Sequence, residues 1–277
     1  MDDMARIVHT HDIDRYLSAL FVPGEKRAHV MALYAFNAEV NRIAYNVSEP
    51  QLAEIRLQFW MDVVDSIFHG DVQAHPVAQA LAGAVQAGDI PKYALMNLLK
   101  AHQFDFYSDP MPSLNDLEGY LGETQSSVIK MAAMIMDSDG ALEASEACGL
   151  AGVRYGVAQV LNQLPRAQRL KQCFLPADLL AKRQVDPTHL FDPESEAGIG
   201  VVLADLRALA EERREQLRRV TWTISPKVAP AFLHVALADP YLQKARKRGR
   251  AVLVKGCDIS PLRKQWLIYK AAKQVRF

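Results

Sequence analysis

Two sets of side chains in this 277-residue chain stand at spacings that would gather them for chemistry. Tyr34, Asn37, Asn41 and Tyr45 recur at three- and four-residue steps, which at about 100° per residue puts them on one stripe of a helix. Gln159, Asn162, Gln163 and Arg166 stand at i, i+3, i+4 and i+7 and so share one side of another helix, which Pro165 is expected to kink or end. Apart from Arg166, both stripes are polar and uncharged. Amides and phenols donate and accept hydrogen bonds, but they are poor ligands for a hard divalent cation, whose dehydration anionic oxygens must offset. These residues can therefore hydrogen-bond across a polar cleft if they face inward, or form a wet helix surface if they face out.

Further polar positions lie beside the stripes. Glu39 points away from the first stripe and fits a surface or interhelical ion pair better than a retained acid. Gln58 and Asp62 flank Trp60, a core candidate, and Asp62 is either a lone metal ligand or exposed. Tyr120, Thr124, Ser126 and Ser127 cluster after an expected break, where helix capping at Ser126 and pocket lining both remain open. The eight histidines form no His-Glu-x-x-His or similar zinc pattern, and there is no Gly-rich phosphate loop or nucleophile elbow. Cys148, Cys173 and Cys257 lack zinc spacing and are odd in number, so they read as packing residues in a reducing compartment.

The elements that must position these residues are helical almost throughout. Apolar residues recur at three-four spacing over 27–43, 51–68, 77–86, 92–106, 113–121, 126–136, 142–164, 201–220 and 226–238 and on toward the end. Breaks are predicted at Pro23-Gly24, Ser48-Glu49-Pro50, His69-Gly70-Asp71, Asp109-Pro-Met-Pro112 and Asp192-Pro193. Alternating β-branched runs are lacking, so a sheet is not expected. With half its residues hydrophobic and no linker-like stretch or internal repeat, the chain reads as one domain over 1–277.

Charge is balanced overall, with 32 basic and 32 acidic residues, but unevenly distributed. From Pro240 onward eleven Lys and Arg face a single acid, Asp258, giving the 244–276 region a formal charge near +10. Such a segment attracts anionic lipid, a diphosphate or an acidic protein partner; without a nucleic-acid motif, nucleic acid is not expected. The N-terminus lacks the basic start and apolar run of a signal peptide, and no stretch approaches the roughly 20 apolar residues of a transmembrane helix. A cytoplasmic protein, at most peripheral at the inner face of a membrane, is the expectation.

Several motifs occur in a familiar order. Pro23-x-x-x-Arg27 followed by Ala32-Leu-Tyr-Ala-Phe36 resembles the opening of the squalene/phytoene synthases, whose helix continues into an Asp-rich magnesium motif. In that register the family's aspartates fall at positions 41, 42 and 45, where this chain has Asn41, Arg42 and Tyr45. The family's later helix is matched by Gly156, Ala158, Arg166 and Arg169-Leu-Lys-Gln-Cys-Phe-Leu-Pro176, with a shortened Arg-to-Pro interval. No acid occurs between Glu146 and Asp178. Phe36-Asn-x-Glu39, Gln58-Phe-Trp60 and Tyr120-x-x-x-Thr-x-Ser-Ser127 most resemble a divergent branch that contains a mitochondrial respiratory complex I assembly factor.

The resemblance implies an all-α isoprenoid-synthase bundle in which the two polar stripes face each other across a central cavity. It implies that both metal motifs are lost, with neutral hydrogen bonding in place of metal bridging and a pocket edged by Tyr34 and Arg166, with Glu39, Gln58, Asp62, Tyr120 and Thr124 as further candidates. No cofactor is expected, and Mg2+ only if prenyl transfer survives. The implied role is a non-catalytic assembly factor whose partner is a complex I subunit or assembly intermediate. The alternatives are a head-to-head prenyltransferase and an isoprenoid- or lipid-binding protein.

Overall fold

Helix starts and stops follow local chemistry along most of the chain. The computed structural model describes residues 2–47, 49–187, 190 and 198–274. α1 (Asp3–His11) and α2 (Ile13–Ala19) begin at Asp2 and Asp12, whose carboxylates accept from the Ala5 and Arg15 amides at 2.7 and 3.1 Å. α3 (Gly24–Asn41) starts behind Pro23 and yields at Arg42 to the short α4 (Ile43–Asn46). α5 (Pro50–His69) opens on a proline and closes on Gly70 at φ +81°, a left-handed conformation that glycine adopts freely. α6 (Pro76–Gly88) and α7 (Lys92–Ala101) follow, the latter tightening into a 3-10 turn over His102–Phe106.

α8 (Leu114–Leu121), capped by Ser113, passes through a π turn at Gly122–Ser126 directly into α9 (Ser127–Met136). α10 (Ser138–Glu143) leads to α11 (Ser145–Arg169), and α12 (Ala177–Lys182) and α13 (Ile199–Val220) come next. A 3-10 stretch, Ala229–Leu237, runs into α14 (Ala238–Arg248), α15 (Val252–Lys255) and α16 (Pro261–Gln274). Among the described residues there is no strand, only an isolated bridge between Pro110 and Cys173.

α3 and α11 form the centre. Residues 30–38 and 151–158 are buried at every position, so these stretches are enclosed on all sides instead of showing one apolar stripe. α1, α6 and α9 pack around α3, while α13, α14, α15 and the π turn pack around α11. A close approach to α11 is at Gly152, where a Cβ would collide with the Ser126 backbone. Gly256 is a second such point: it has φ +57°, and its Cβ would lie 2.5 Å from the Asn162 carbonyl oxygen. All three cysteines are buried free thiols.

Three local expectations are corrected. The predicted 142–164 helix is split at Ala144 and then runs through Pro165 to Arg169, because Leu164 and Ala167 are buried on either side of the proline and packing outweighs one lost backbone hydrogen bond. The predicted break before Ser126 is a continuous helix with an inserted π turn, so Ser126 is not a cap; its hydroxyl donates to the Gly149 carbonyl at 2.9 Å. Residues 226–238 are mainly 3-10. Ser48, Asp192-Pro193 and Arg276 lie outside the described residues.

The close packing at Gly152 sets an opposing pair of outcomes within one helix. Gly152→Ala should lower unfolding stability by about 1–3 kcal/mol through overpacking. Gly149→Ala, whose Cβ meets nothing within 4 Å, should raise stability by up to about 1 kcal/mol through helix propensity. Urea unfolding of the two variants checks this; equal effects would refute the backbone contact.

Candidate functional site

A cavity of about 250 Å³ opens where α3, α4 and α11 meet the α1–α2 junction. Asn41 and Tyr45 line one side, and Gln159, Asn162, Gln163 and Arg166 the other. Arg166 places its guanidinium over the Tyr45 ring, which joins the two sides. Burial pushes the Tyr45 hydroxyl up to about 12, against the pull of Arg166, so it stays neutral.

Hydrogen bonds of the amides run along each helix or to third elements. Asn41 Nδ2 donates to the Asn37 carbonyl at 2.7 Å, Asn162 Oδ1 accepts from the Cys257 amide at 2.9 Å, and Gln163 Nε2 lies 3.5 Å from Gln159 Oε1. Tyr34 and Asn37 do not line the cavity. Both are fully buried in α3, and Asn37 has no side-chain hydrogen-bond partner among the described residues.

The strongest interactions at the cavity come from residues outside the two stripes. Asp14 of α2 accepts hydrogen bonds at Oδ2 from Tyr155 Oη at 2.9 Å, Tyr241 Oη at 2.7 Å and Gln159 Nε2 at 3.2 Å. The ammonium of Lys264, on α16, stands 3.0 Å from Asp14 Oδ1 and 2.8 Å from Asp258 Oδ1. Arg15 pairs with Asp12 at 2.8 Å and donates to Gln125 Oε1 at 2.7 Å. Burial raises the Asp14 carboxyl above the usual carboxylate range, opposed by the Lys264 ammonium and the Tyr241 hydroxyl. Burial acts to lower the Lys264 ammonium, but the Asp14 and Asp258 carboxylates outweigh it and hold the amine above the ordinary lysine value.

The remaining candidates are scattered away from this cavity. Glu39, about 200° around α3 from Asn41, pairs with Arg42 at 3.3 Å beside a separate cavity of about 200 Å³. Gln58 donates to Asp62 at 2.7 Å on the exposed side of α5, and Trp60 is buried edge-on to Phe36. Tyr120 donates to Asp105 at 2.8 Å in a cluster with His102, while the Thr124 hydroxyl bonds back to the Tyr120 carbonyl at 2.8 Å. The basic segment is also less free than its charge suggests. Lys264 is buried, Lys244 donates to the Asp258 carbonyl, and Arg248 donates to the Lys255 and Gly256 carbonyls. Arg246, Lys247, Lys255, Arg263, Lys270 and Lys273 are exposed.

A signal for the missed ion pair was present. Lys264 is in register with Leu267, Ile268 and Ala271, and Asp14 with Leu17 and Ser18, so each is a charge on the inward stripe of its helix. Opposite charges so placed mark a buried pair, although nothing in the sequence tells which two helices meet.

This architecture is an all-α isoprenoid-synthase bundle around a central cavity. Residues 8–265 match squalene/phytoene synthase, and the chain belongs to that family. It superposes on a dehydrosqualene synthase with a TM-score of 0.81 at 17% identity, covering 98% of this chain and 95% of that one. For the squalene synthase HpnC from Alicyclobacillus acidocaldarius the TM-score is 0.74 at 18% identity, with 89% and 92% covered. By sequence it is 27% identical over 241 residues to the NADH dehydrogenase (ubiquinone) complex I assembly factor 6 of Bos taurus, covering 87% of this chain and 72% of that one. The Drosophila melanogaster homolog is 28% identical over 260 residues, covering 91% and 77%.

Family membership raises the question of magnesium, and the donor set here does not fit it. Asp12 and Asp14 are the carboxylates lining the cavity, and each is already paired with a protein cation. Arg42, Tyr45 and Arg166 stand beside them, supplying positive charge or a neutral phenol where a metal would need anionic oxygen. Among the described residues no group of three or more His, Cys, Asp and Glu side chains gathers at metal-binding spacing.

The buried pair should show strong coupling. Lys264→Met leaves Asp14 buried without its cation and should cost about 3–5 kcal/mol, with partial recovery when Asp14→Asn is added. In the Lys264→Met protein the Asp14 carboxyl rises further, so its protonated form favours the fold. Stability lost at neutral pH should therefore return as pH falls toward 5, narrowing the gap to the parent. Urea unfolding across pH checks both points; simple additivity of the two substitutions with no pH effect would contradict the pairing.

Proposed function

We propose that this protein is a non-catalytic assembly factor for respiratory complex I, built on a prenyltransferase frame. The observation that carries this reading is the state of the cavity carboxylates: Asp12 and Asp14 are already held by Arg15 and Lys264. The cavity, at about 250 Å³, falls below the roughly 300–1,000 Å³ of ordinary ligand pockets. Head-to-head condensation must draw off diphosphate with metal, and this lining offers no unpaired carboxylate to hold one. The names of the Bos taurus and Drosophila melanogaster relatives supply the biological role. The partner is a complex I subunit or assembly intermediate, and a cytoplasmic placement fits the three free thiols.

No helix among the described residues is long and apolar enough to cross a membrane. The exposed cations of the basic segment, Arg246 and Lys247 among them, support peripheral attachment to an anionic membrane face, each contributing on the order of 1 kcal/mol near the surface.

Deleting the gene in its own host should lower both assembled complex I on native gels and NADH-driven quinone reduction, with plasmid-borne protein restoring both. Purified protein should release no diphosphate from farnesyl or geranylgeranyl diphosphate with millimolar Mg2+. Normal complex I in the deletion strain together with magnesium-dependent turnover would overturn the proposal in favour of a prenyltransferase.

A further inference from the structure

The last helix is amphipathic in an unusual sense, because its apolar residues occur on both sides. Lys264, Ile268 and Ala271 form its buried side and pack toward the Ala229–Leu237 stretch and α2. On the opposite side Leu262, Trp266 and Tyr269 are 78%, 58% and 48% exposed. With Lys273 they lie within about 40° of the direction opposite Lys264. A surface helix of a soluble protein carries polar residues there.

The charges on this face identify its occupant. Lys270 Nζ lies 5.2 Å from the Trp266 ring centroid and Lys273 Nζ 4.7 Å from that of Tyr269, with Arg263 exposed on the flank. α16 contains no carboxylate. Protein-protein interface cores are depleted in lysine, so lysines interleaved with the aromatic residues argue against a protein cover. Interfacial helices combine these same residues: Trp, Tyr and Leu enter the headgroup boundary while Lys and Arg reach the phosphates.

We propose that α16 is an interfacial membrane anchor, inserting Leu262, Trp266 and Tyr269 into an anionic bilayer with Arg263, Lys270 and Lys273 at its headgroups. This rests on the peripheral placement proposed above and adds a hydrophobic attachment to the electrostatic one. Binding should therefore keep a component that salt does not release, since at 0.5 M salt the Debye length is only about 4 Å.

The test uses the full chain and vesicles of phosphatidylglycerol or cardiolipin mixed with phosphatidylcholine, sedimented at 0.05 and 0.5 M salt. The parent protein should keep at least a third of its low-salt binding at high salt, and its tryptophan emission should shift to the blue on binding. Trp266→Phe should abolish that shift while leaving Trp60 and Trp222 in place. The Leu262→Ser/Trp266→Ser/Tyr269→Ser protein, altered only at exposed positions, should keep its circular dichroism and lose the salt-resistant fraction at least tenfold. An Arg246→Glu/Lys247→Glu protein should lose mainly the salt-sensitive part.

If salt releases all binding and the triple-serine protein matches the parent, attachment is purely electrostatic: the anchor is overturned while peripheral placement stands. If neither vesicle binds the parent protein, both fail. Loss of a co-purified protein partner in the triple-serine variant, without vesicle binding by the parent, would make this a protein-docking face and also overturn the anchor.

Discussion

The buried contact between Asp14 and Lys264 joins positions 250 residues apart and gives a cavity carboxylate its counter-charge from within the chain. A carboxylate this deep is costly unless it is paired with a cation and hydrogen-bonded. Here Tyr155 from α11, Tyr241 from α14 and Gln159 supply hydrogen bonds while α16 supplies the positive charge. The cluster therefore fixes α2, α11, α14 and α16 relative to one another at a single point. It also positions the two faces of α16, because burying Lys264 turns Leu262, Trp266 and Tyr269 outward.

The charges of the cavity lining differ from those a metal site needs. In a metal-dependent cavity, facing carboxylates repel one another until divalent ions bind. This chain has amides, a phenol and arginine on the facing helices, and pairs the carboxylates it does have with its own side chains. Arg166 over Tyr45 joins the helices directly.

Much of this fold was legible in the sequence, and for definite reasons. Helix periodicity and the turn residues at Gly70 and Pro23 are local signals, and they located most elements. The stripe at Gln159, Asn162, Gln163 and Arg166 was legible because its residues share one helix, and it does border the cavity. The other stripe was only half legible: Asn41 and Tyr45 reach the cavity, whereas Tyr34 and Asn37 sit where α3 is enclosed on all sides. Periodicity cannot tell a cavity wall from a core when polar residues are buried in both. The helix through Pro165 and the π turn at Ser126 escaped because tertiary packing overrides local preference there. The Asp14–Lys264 pair escaped because it depends on which distant helices meet.

Asp14 in the cavity already has Lys264 as its cation. The most direct measurement is a crystal structure from crystals soaked in Mn2+ with a non-hydrolysable farnesyl diphosphate analogue, using the anomalous signal of manganese. The account predicts no manganese peak in the cavity and Lys264 still in contact with Asp14. Manganese bound between Asp12 and Asp14, with Lys264 displaced and the analogue's diphosphate on the metal, would contradict it.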